Sequence, residues 1–597
     1  MLSIILNLFK RYSKPYIHLI IFSLLLQIVQ VFFTLYLPNL NAQIIDIGIL
    51  NEDATYIQNQ GFWMMILVSL QILSSLLISY FSTKAGLSFG RDIRKDLYSK
   101  IQNFSTIDVN HFGAATLITR VTNDIQHIIT ALNFSLSILI TLPIILIGSI
   151  IMAITENLLL SMIIGLIFST FIPLMIIFTR KLKPLFELFQ KQFDSINGIL
   201  KDQITGVQTI KALVKEKIEF DRFKKSNKWL YDLNISIGKL ISLIFPTLIL
   251  LPNLLILLTM WYGGILINIG DLNVGEITAF ITYMLYISMA LTVTSMILGY
   301  LPQIEVSAER ITEVLNKETT TLSPSNPIHI KNPKGIIKFE SVNFKYSIDN
   351  LSNDNHLNNK NNNNKNVLKS ISFIAKPSET TGIIGNTASG KSTLLQLIPR
   401  FYDVTEGTVS FDDVDVKKLN VSELNSYISF TPQKTLLFKD TIAENLRLSK
   451  NDATEDEIWE ALEIAQIADF VRGLDKGLEF EVSQGGINLS GGQKQRLSIA
   501  RSILPKPKVI IFDDSFSALD YVNDLKLRNA LTKNIKNSTI IIVSQRISTI
   551  RDADNILVMD NGEIVSQGRH EDLIKNCEIY QKIVSSQLDS KEHEKKL

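Results

Sequence analysis

The sequence predicts a multi-domain membrane protein, with an all-α domain of six transmembrane helices followed by an α/β domain. Two observations carry this. Lys and Arg are absent from 15 to 83, 121 to 179 and 240 to 309, each rich in Ile, Leu, Phe and Val. Beyond about residue 335, apolar strands alternate with helical stretches around the glycine-rich run "GNTASGKST", Gly385 to Thr393. A chain of 597 residues, 46% hydrophobic, exceeds a single core and carries more apolar residues than water-soluble domains usually do.

Each uncharged stretch holds two spans of about 20 apolar residues, the length a hydrocarbon core of about 30 Å requires. The expected helices lie near 16 to 37, 61 to 82, 132 to 154, 158 to 179, 240 to 263 and 276 to 299. The first is too long for a signal-peptide core and no small-residue cleavage site follows, so it is expected to remain as an anchor. The connections 38 to 60, 155 to 157 and 264 to 275 contain no Lys or Arg, whereas Lys10, Arg11, Lys14, Arg91, Arg94, Lys95, Lys100, Arg120, Arg180, Lys181 and Lys183 lie on the other side. The positive-inside rule then places both termini and the two long connections, 84 to 120 and 180 to 239, in the cytoplasm. Apart from Glu276 at the very start of the sixth, the spans contain no Asp, Glu, Lys or Arg, which argues against a proton relay or fixed ion site in the membrane. Pro143, Pro173, Pro246 and Pro252 are expected to kink helices. Transverse segments that touch a cytoplasmic domain are expected near Asn110 to Leu117 and Lys211 to Glu219. The domains predicted are 1–320 in the membrane, a linker over 321–335, and 336–597.

The formal charge of +2 gives no reason to propose nucleic acid as a partner. One cysteine, Cys577, excludes an internal disulfide and a Cys-only metal site.

The strand "TTGII", the loop Gly385, Asn386, Thr387, Ala388, Ser389, Gly390, Lys391, Ser392, Thr393 and the helix "LLQLIP" form a phosphate-binding loop. Glycines let backbone N–H groups face phosphates at a helix N-terminus, the lysine reaches the terminal phosphates, and the Ser392 hydroxyl is placed to ligate magnesium. Asp513, closing the apolar strand "VIIF", is suited to hold the magnesium through water.

Between these lies "LSGGQKQRLSIARSIL", 489 to 504, which resembles the signature of ATP-binding cassette proteins. With six preceding spans the chain looks like an exporter-type half-transporter from about residue 10 to 590. The resemblance implies ATP and Mg2+ as cofactors. It implies that Tyr346 stacks on adenine and that Gln433 senses magnesium and the membrane domain. It also implies that Ser490, Gly491, Gly492 and Gln493 contact a nucleotide, and that Asp520, ending "SALD", belongs to the loop linking two sites. The metal ligands implied are Ser392, Gln433 and Asp513. A multi-pass protein of a bacterial cytoplasmic membrane is implied, with amphipathic drugs or lipids as substrates. The run 350 to 366, ten asparagines in seventeen residues, cannot bury a core and is expected to be a disordered loop.

The pattern departs from the family at the catalytic end. Asp514 stands where glutamate is usual, and "IIVSQR" places Gln545 where the family has histidine. With Gln433, these are the candidate catalytic residues. Aspartate draws the carboxylate back by about 1 Å, a displacement that can cost about 100-fold. Neutral Gln545 can hydrogen-bond phosphate but brings no positive charge. Ala388 for glycine, and Ser483 with Gln484 for Gly-Glu, are further departures. Because each nucleotide in the family lies between one subunit's phosphate loop and the other's signature, an intact "LSGGQ" beside an impaired site suggests a heterodimer with a second half-transporter. The alternatives are a nucleotide-gated regulatory or sensory membrane complex and a homodimeric lipid flippase.

Overall fold

The computed structural model describes residues 2–298, 301–321, 324, 326–346 and 366–594. Most of the Asn-rich run, and the expectation attached to it, lies outside the described residues. The chain packs as two compact units, Met1–Lys100 with Ile118–Asn316, and Ile101–Leu117 with Lys317–Leu597.

The first unit is all helix. It begins with α1 (Leu2–Tyr12), α2 (Ile17–Gln43) and α3 (Ala54–Gln102). After α4 (Thr106–Phe112), which belongs to the second unit, and α5 (Ala114–Thr119), which the boundary between the units divides, come α6 (Ile125–Phe134) and α7 (Thr141–Glu156). It continues with α8 (Leu158–Thr205), α9 (Val207–Ala212), α10 (Glu216–Ile269), α11 (Val274–Leu298) and α12 (Leu301–Asn316). Among the described residues, six helical segments are long and apolar enough to cross a membrane, and they contain the six expected spans apart from the last few residues of the sixth. The 48 residues of α8 and 54 of α10 correspond to about 72 and 81 Å, so both run far past a core of about 30 Å.

The four prolines expected to kink helices take different places in them. Helix α8 runs through Pro173 and Pro184, and α10 through Pro246 and Pro252. Pro143 instead falls in the first turn of α7, where a missing N–H costs no hydrogen bond. The irregularities of the third span are two π-helical turns, Arg120–Asp124 and Ser135–Leu139. Both are tied by side chains. The Arg120 guanidinium donates to the Arg310 carbonyl at 2.9 Å and pairs with Glu313 at 2.8 Å. Gln27 donates to the Leu136 carbonyl, and the Ser82 and Ser137 hydroxyls lie 2.8 Å apart.

The second unit is α/β. Its strands are β1 (Ile337–Phe344), β2 (Leu368–Ala375), β3 (Thr380–Gly385), β4 (Glu406–Phe411), β5 (Val414–Asp415) and β6 (Ile428–Thr431). They continue with β7 (Asp440–Thr441), β8 (Glu481–Val482), β9 (Val509–Asp513), β10 (Thr539–Val543), β11 (Asn555–Asp560) and β12 (Glu563–Gly568). The main sheet has the order β12-β11-β3-β10-β9-β6, parallel except at β12, and a smaller antiparallel sheet has the order β2-β1-β4-β5. Every residue of β9 and β10 is buried, as the uninterrupted apolar runs of a sheet covered on both faces require. Because β3, β10 and β9 are neighbours and parallel, the loops after Gly385, Val543 and Asp513 emerge side by side at one edge. Such an edge is where open α/β sheets bind ligands.

The transverse helix α4 packs in this unit, a few residues before the position expected from sequence. Its start is set by a capping box in which Ser105 accepts from the Asp108 N–H and Asp108 accepts from the Ser105 N–H. Asp108 is buried and also takes the Thr320 hydroxyl at 2.6 Å and its N–H at 3.2 Å. Burial alone would raise its pKa, but the bonds from Thr320 and Ser105 hold it below the usual carboxylate range. The second expected stretch, Lys211 to Glu219, runs from the end of α9 into the start of α10 and belongs to the first unit.

Candidate nucleotide site

The phosphate loop closes on itself. Lys391, buried at the N-terminus of the helix Lys391–Leu397, donates to the Gly385 carbonyl at 2.9 Å and the Asn386 carbonyl at 2.7 Å, and reaches the Ser389 hydroxyl at 3.3 Å. Burial lowers its pKa, opposed by the charges of Asp514 and Asp513. Glycine is required at two places. A Cβ on Gly385 would collide with the Met559 carbonyl, and Gly390 has a φ of +95° with Leu368 against it. Ala388 stands at a φ of +64°, where a side chain is strained.

The loop, Gln433, the two aspartates and Gln545 line one cavity of about 390 Å³. Ser392 donates to Asp513 Oδ1 at 3.0 Å, and Gln433 Nε2 lies 3.5 Å from Asp514 Oδ2. The carboxyl pKa of Asp513 is raised by burial against the Ser392 bond, and that of Asp514 is raised by burial against bonds from the Gln545 main chain and Gln433. Asp514 has a φ of +47°, a region that aspartate enters more readily than most residues. Hydroxyl, carboxylate and amide oxygens from Ser392, Asp513 and Gln433 are hard donors of the kind magnesium takes, so this set fits that ion.

The remaining sequence candidates lie elsewhere. Tyr346 is outside this cavity, but its hydroxyl lies 3.0 Å from that of Thr393, and its ring meets Phe344 and Tyr402 edge to face. Ser490 is the N-cap of the helix Gly491–Ile503, in a capping box with Gln493, and this segment does not line the cavity. Asp520 caps the helix Tyr521–Asn534, and its pKa is lowered chiefly by Asn523.

Sequence reasoning passed over Val367 and Val543, which complete the wall, and Arg546, which donates to the carbonyls of Leu519 at 2.9 Å and Ser517 at 3.0 Å. No motif marks the valines; Arg546 was readable only as the last residue of "IIVSQR", beside Gln545.

Comparison with known proteins agrees with this geometry. Residues 20–291 match the ABC transporter transmembrane region, and residues 368–517 match the ABC transporter nucleotide-binding family. An uncharacterized ABC transporter ATP-binding protein of Mycobacterium tuberculosis is 37% identical over 591 residues, covering 98% of both chains. The ABC transporter ATP-binding protein YfiB of Bacillus subtilis is 35% identical over 585 residues, covering 96% of this chain and 97% of its own. In fold the chain is similar to a bacterial Atm1-family ABC exporter solved with ATP bound, with a TM-score of 0.80 at 23% identity, covering 96% of this chain and 99% of that one. The chain belongs to the ABC transporter family, as an exporter half-transporter whose ATPase unit couples ATP hydrolysis to transport.

Proposed function

We propose that this half-transporter exports amphipathic or hydrophobic small molecules from a bacterial cytoplasm, paired with a second half-transporter and carrying the slower of two ATP sites. The observation that supports the slow site is the setting of Asp514. Its carboxylate is buried beside Asp513 and accepts from the Gln545 main chain and Gln433, protein donors where a longer residue would reach into the cavity. The nearest side chain from the following loop, Gln545, is neutral.

In this reading the loop N–H groups bind the phosphates, and the Lys391 ammonium leaves the Gly385 and Asn386 carbonyls for the terminal phosphates. Ser392, Asp513 and Gln433 would hold Mg2+, which when bound neutralises phosphate charge. Gln545 donates to the γ-phosphate, and Asp514 accepts from a water that it holds at a longer distance than glutamate would. Tyr346 swings from Thr393 to stack on adenine. Ser490, Gly491, Gly492 and Gln493 complete the partner's site, and Asp520 lies where the two sites meet. Both termini and the nucleotide unit face the cytoplasm.

The test is steady-state ATPase of this chain alone and with its partner. The paired complex is expected to exceed the lone chain by at least about tenfold per site. Equal turnover per site would establish a homodimer and sink the slow-site reading.

A further inference from the structure

The C-terminal helix Glu578–Glu594 reaches the loop that carries Gln545. Gln587 Nε2 donates to the Gln545 carbonyl at 2.7 Å, and Gln587 Oε1 accepts from the Ile547 N–H at 2.9 Å. One carboxamide thus holds the main chain on both sides of Arg546. The helix that delivers it is firmly seated. Tyr580 is fully buried with its hydroxyl 2.7 Å from His570 Nδ1, and Ile583 and Val584 pack on the same core. Positions 580, 583, 584 and 587 fall on one helical face, so burial of the first three fixes the fourth.

The restrained loop touches both candidate catalytic groups. The Gln545 side chain lines the phosphate cavity together with Asp514. Its neighbour Arg546 holds the carbonyls of Ser517 and Leu519. Gln545 and Arg546 are themselves exposed, so packing does little to hold them.

We propose that Gln587 is a positioning residue for the nucleotide site: its hydrogen bonds to Gln545 and Ile547 set the main chain at 545–547, which aims Gln545 at the terminal phosphate. This rests on the reading of Gln545 as a γ-phosphate contact. Release of the clamp leaves the phosphate loop and the base pocket unchanged. The loss therefore falls on a nucleotide with a γ-phosphate and spares one without.

The experiment measures equilibrium binding of ATPγS and ADP, with Mg2+, to the full-length chain in lipid nanodiscs. In Gln587→Ala the affinity for ATPγS is expected to fall about fivefold, the size of one ordinary lost hydrogen bond, with ADP within twofold and the melting temperature unchanged. In Gln587→Glu at neutral pH a carboxylate opposes the Gln545 carbonyl, and the same loss is expected. On acidification towards about pH 5 a carboxyl raised by that carbonyl protonates, regains the donor, and its affinity relative to the parent recovers. Equal weakening of both nucleotides, no weakening of either, or a Glu variant without that recovery overturns the proposal. Gln545→Ala separates the two levels. If it leaves the preference for ATPγS intact, the γ-phosphate reading and the clamp fall together; if it removes the preference while Gln587→Ala does not, the clamp alone falls.

Discussion

The Ser392 hydroxyl donates to Asp513 at 3.0 Å, and in the family's chemistry both would face the same cation. Without that cation Asp513 is a buried carboxylate next to a second one, Asp514, and its pKa is raised by burial first. A carboxyl with a raised pKa holds its proton more tightly folded than unfolded. Stability is then lost as pH rises from the unfolded value through the folded one.

Asp513→Asn is therefore expected to raise the melting temperature of the nucleotide-free chain at pH 7 and to flatten its dependence on mild acid. The same change should remove Mg2+-dependent ATP binding. Differential scanning fluorimetry between pH 5 and 8 checks the first part, and a variant that melts lower than the parent refutes it.

Ala388 gives a prediction of the opposite kind. At a φ of +64° a Cβ costs about 1 kcal/mol relative to glycine, offset in part by the larger unfolded entropy of glycine. Ala388→Gly should leave the fold intact and tighten ATP binding by up to about fivefold, because the loop no longer resists its bound shape. Isothermal titration decides; weaker binding would mean the alanine serves the loop.

The signature and the second aspartate should respond differently in the paired transporter. On the proposed pairing, Ser490→Ala removes a donor from the partner's site, where such a loss typically costs about 100-fold in turnover, whereas Asp514→Asn alters the proposed slow base and should cost less than about threefold. Ser490 also caps its helix, so alanine should lower stability by about 1 kcal/mol as well. Ser490→Thr keeps a capping hydroxyl and separates the two effects. Abolished turnover in Asp514→Asn with Ser490→Ala intact would reverse the assignment of the sites.

Cysteines introduced at Asp53 and Asp271 should react with an impermeant maleimide in sealed cells, and one at Lys217 should not. The native thiol, Cys577, is buried and leaves a quiet background. Labelling at 217 from outside would invert the topology.

Asp108 offers a stability test outside the membrane. Its bonds from Thr320 and Ser105 are worth about 2 kcal/mol as a set to a buried charged acceptor, so Asp108→Ala should speed hydrogen exchange over residues 101–117 by about thirtyfold. Since its pKa is lowered, its contribution is present above the unfolded value and disappears only as pH falls through the folded one, so exchange corrected for intrinsic rates should not vary between pH 6 and 8.

The phosphate loop and the strand-end aspartates were legible because phosphate chemistry dictates both residue type and order. The spans were legible because lipid excludes Lys and Arg over long stretches. The π turns were not, since they depend on distant partners: Leu136 answers to Gln27, and Arg120 to Arg310 and Glu313. The offset of α4 was readable in "STID", whose Ser105 and Asp108 make the capping box, but charge and hydropathy pointed further along the chain. Gln587 had no signal, because a glutamine in a polar tail becomes a clamp only once Tyr580 is docked.

The bond between Asp108 and Thr320 spans 212 positions of sequence. During synthesis at about 5–20 residues per second, the segment that ends as α4 waits about 10 to 40 seconds before its partner leaves the ribosome. Through that interval Phe112, which ends buried, has the Phe104 ring of its own segment against it but none of the residues from 317 onward. The local capping box needs no partner and favours a short helix from the start, so the late step is docking of a preformed turn. Slowing translation between residues 117 and 317 should therefore lengthen the time for which α4 is open to a protease, without changing the final fold.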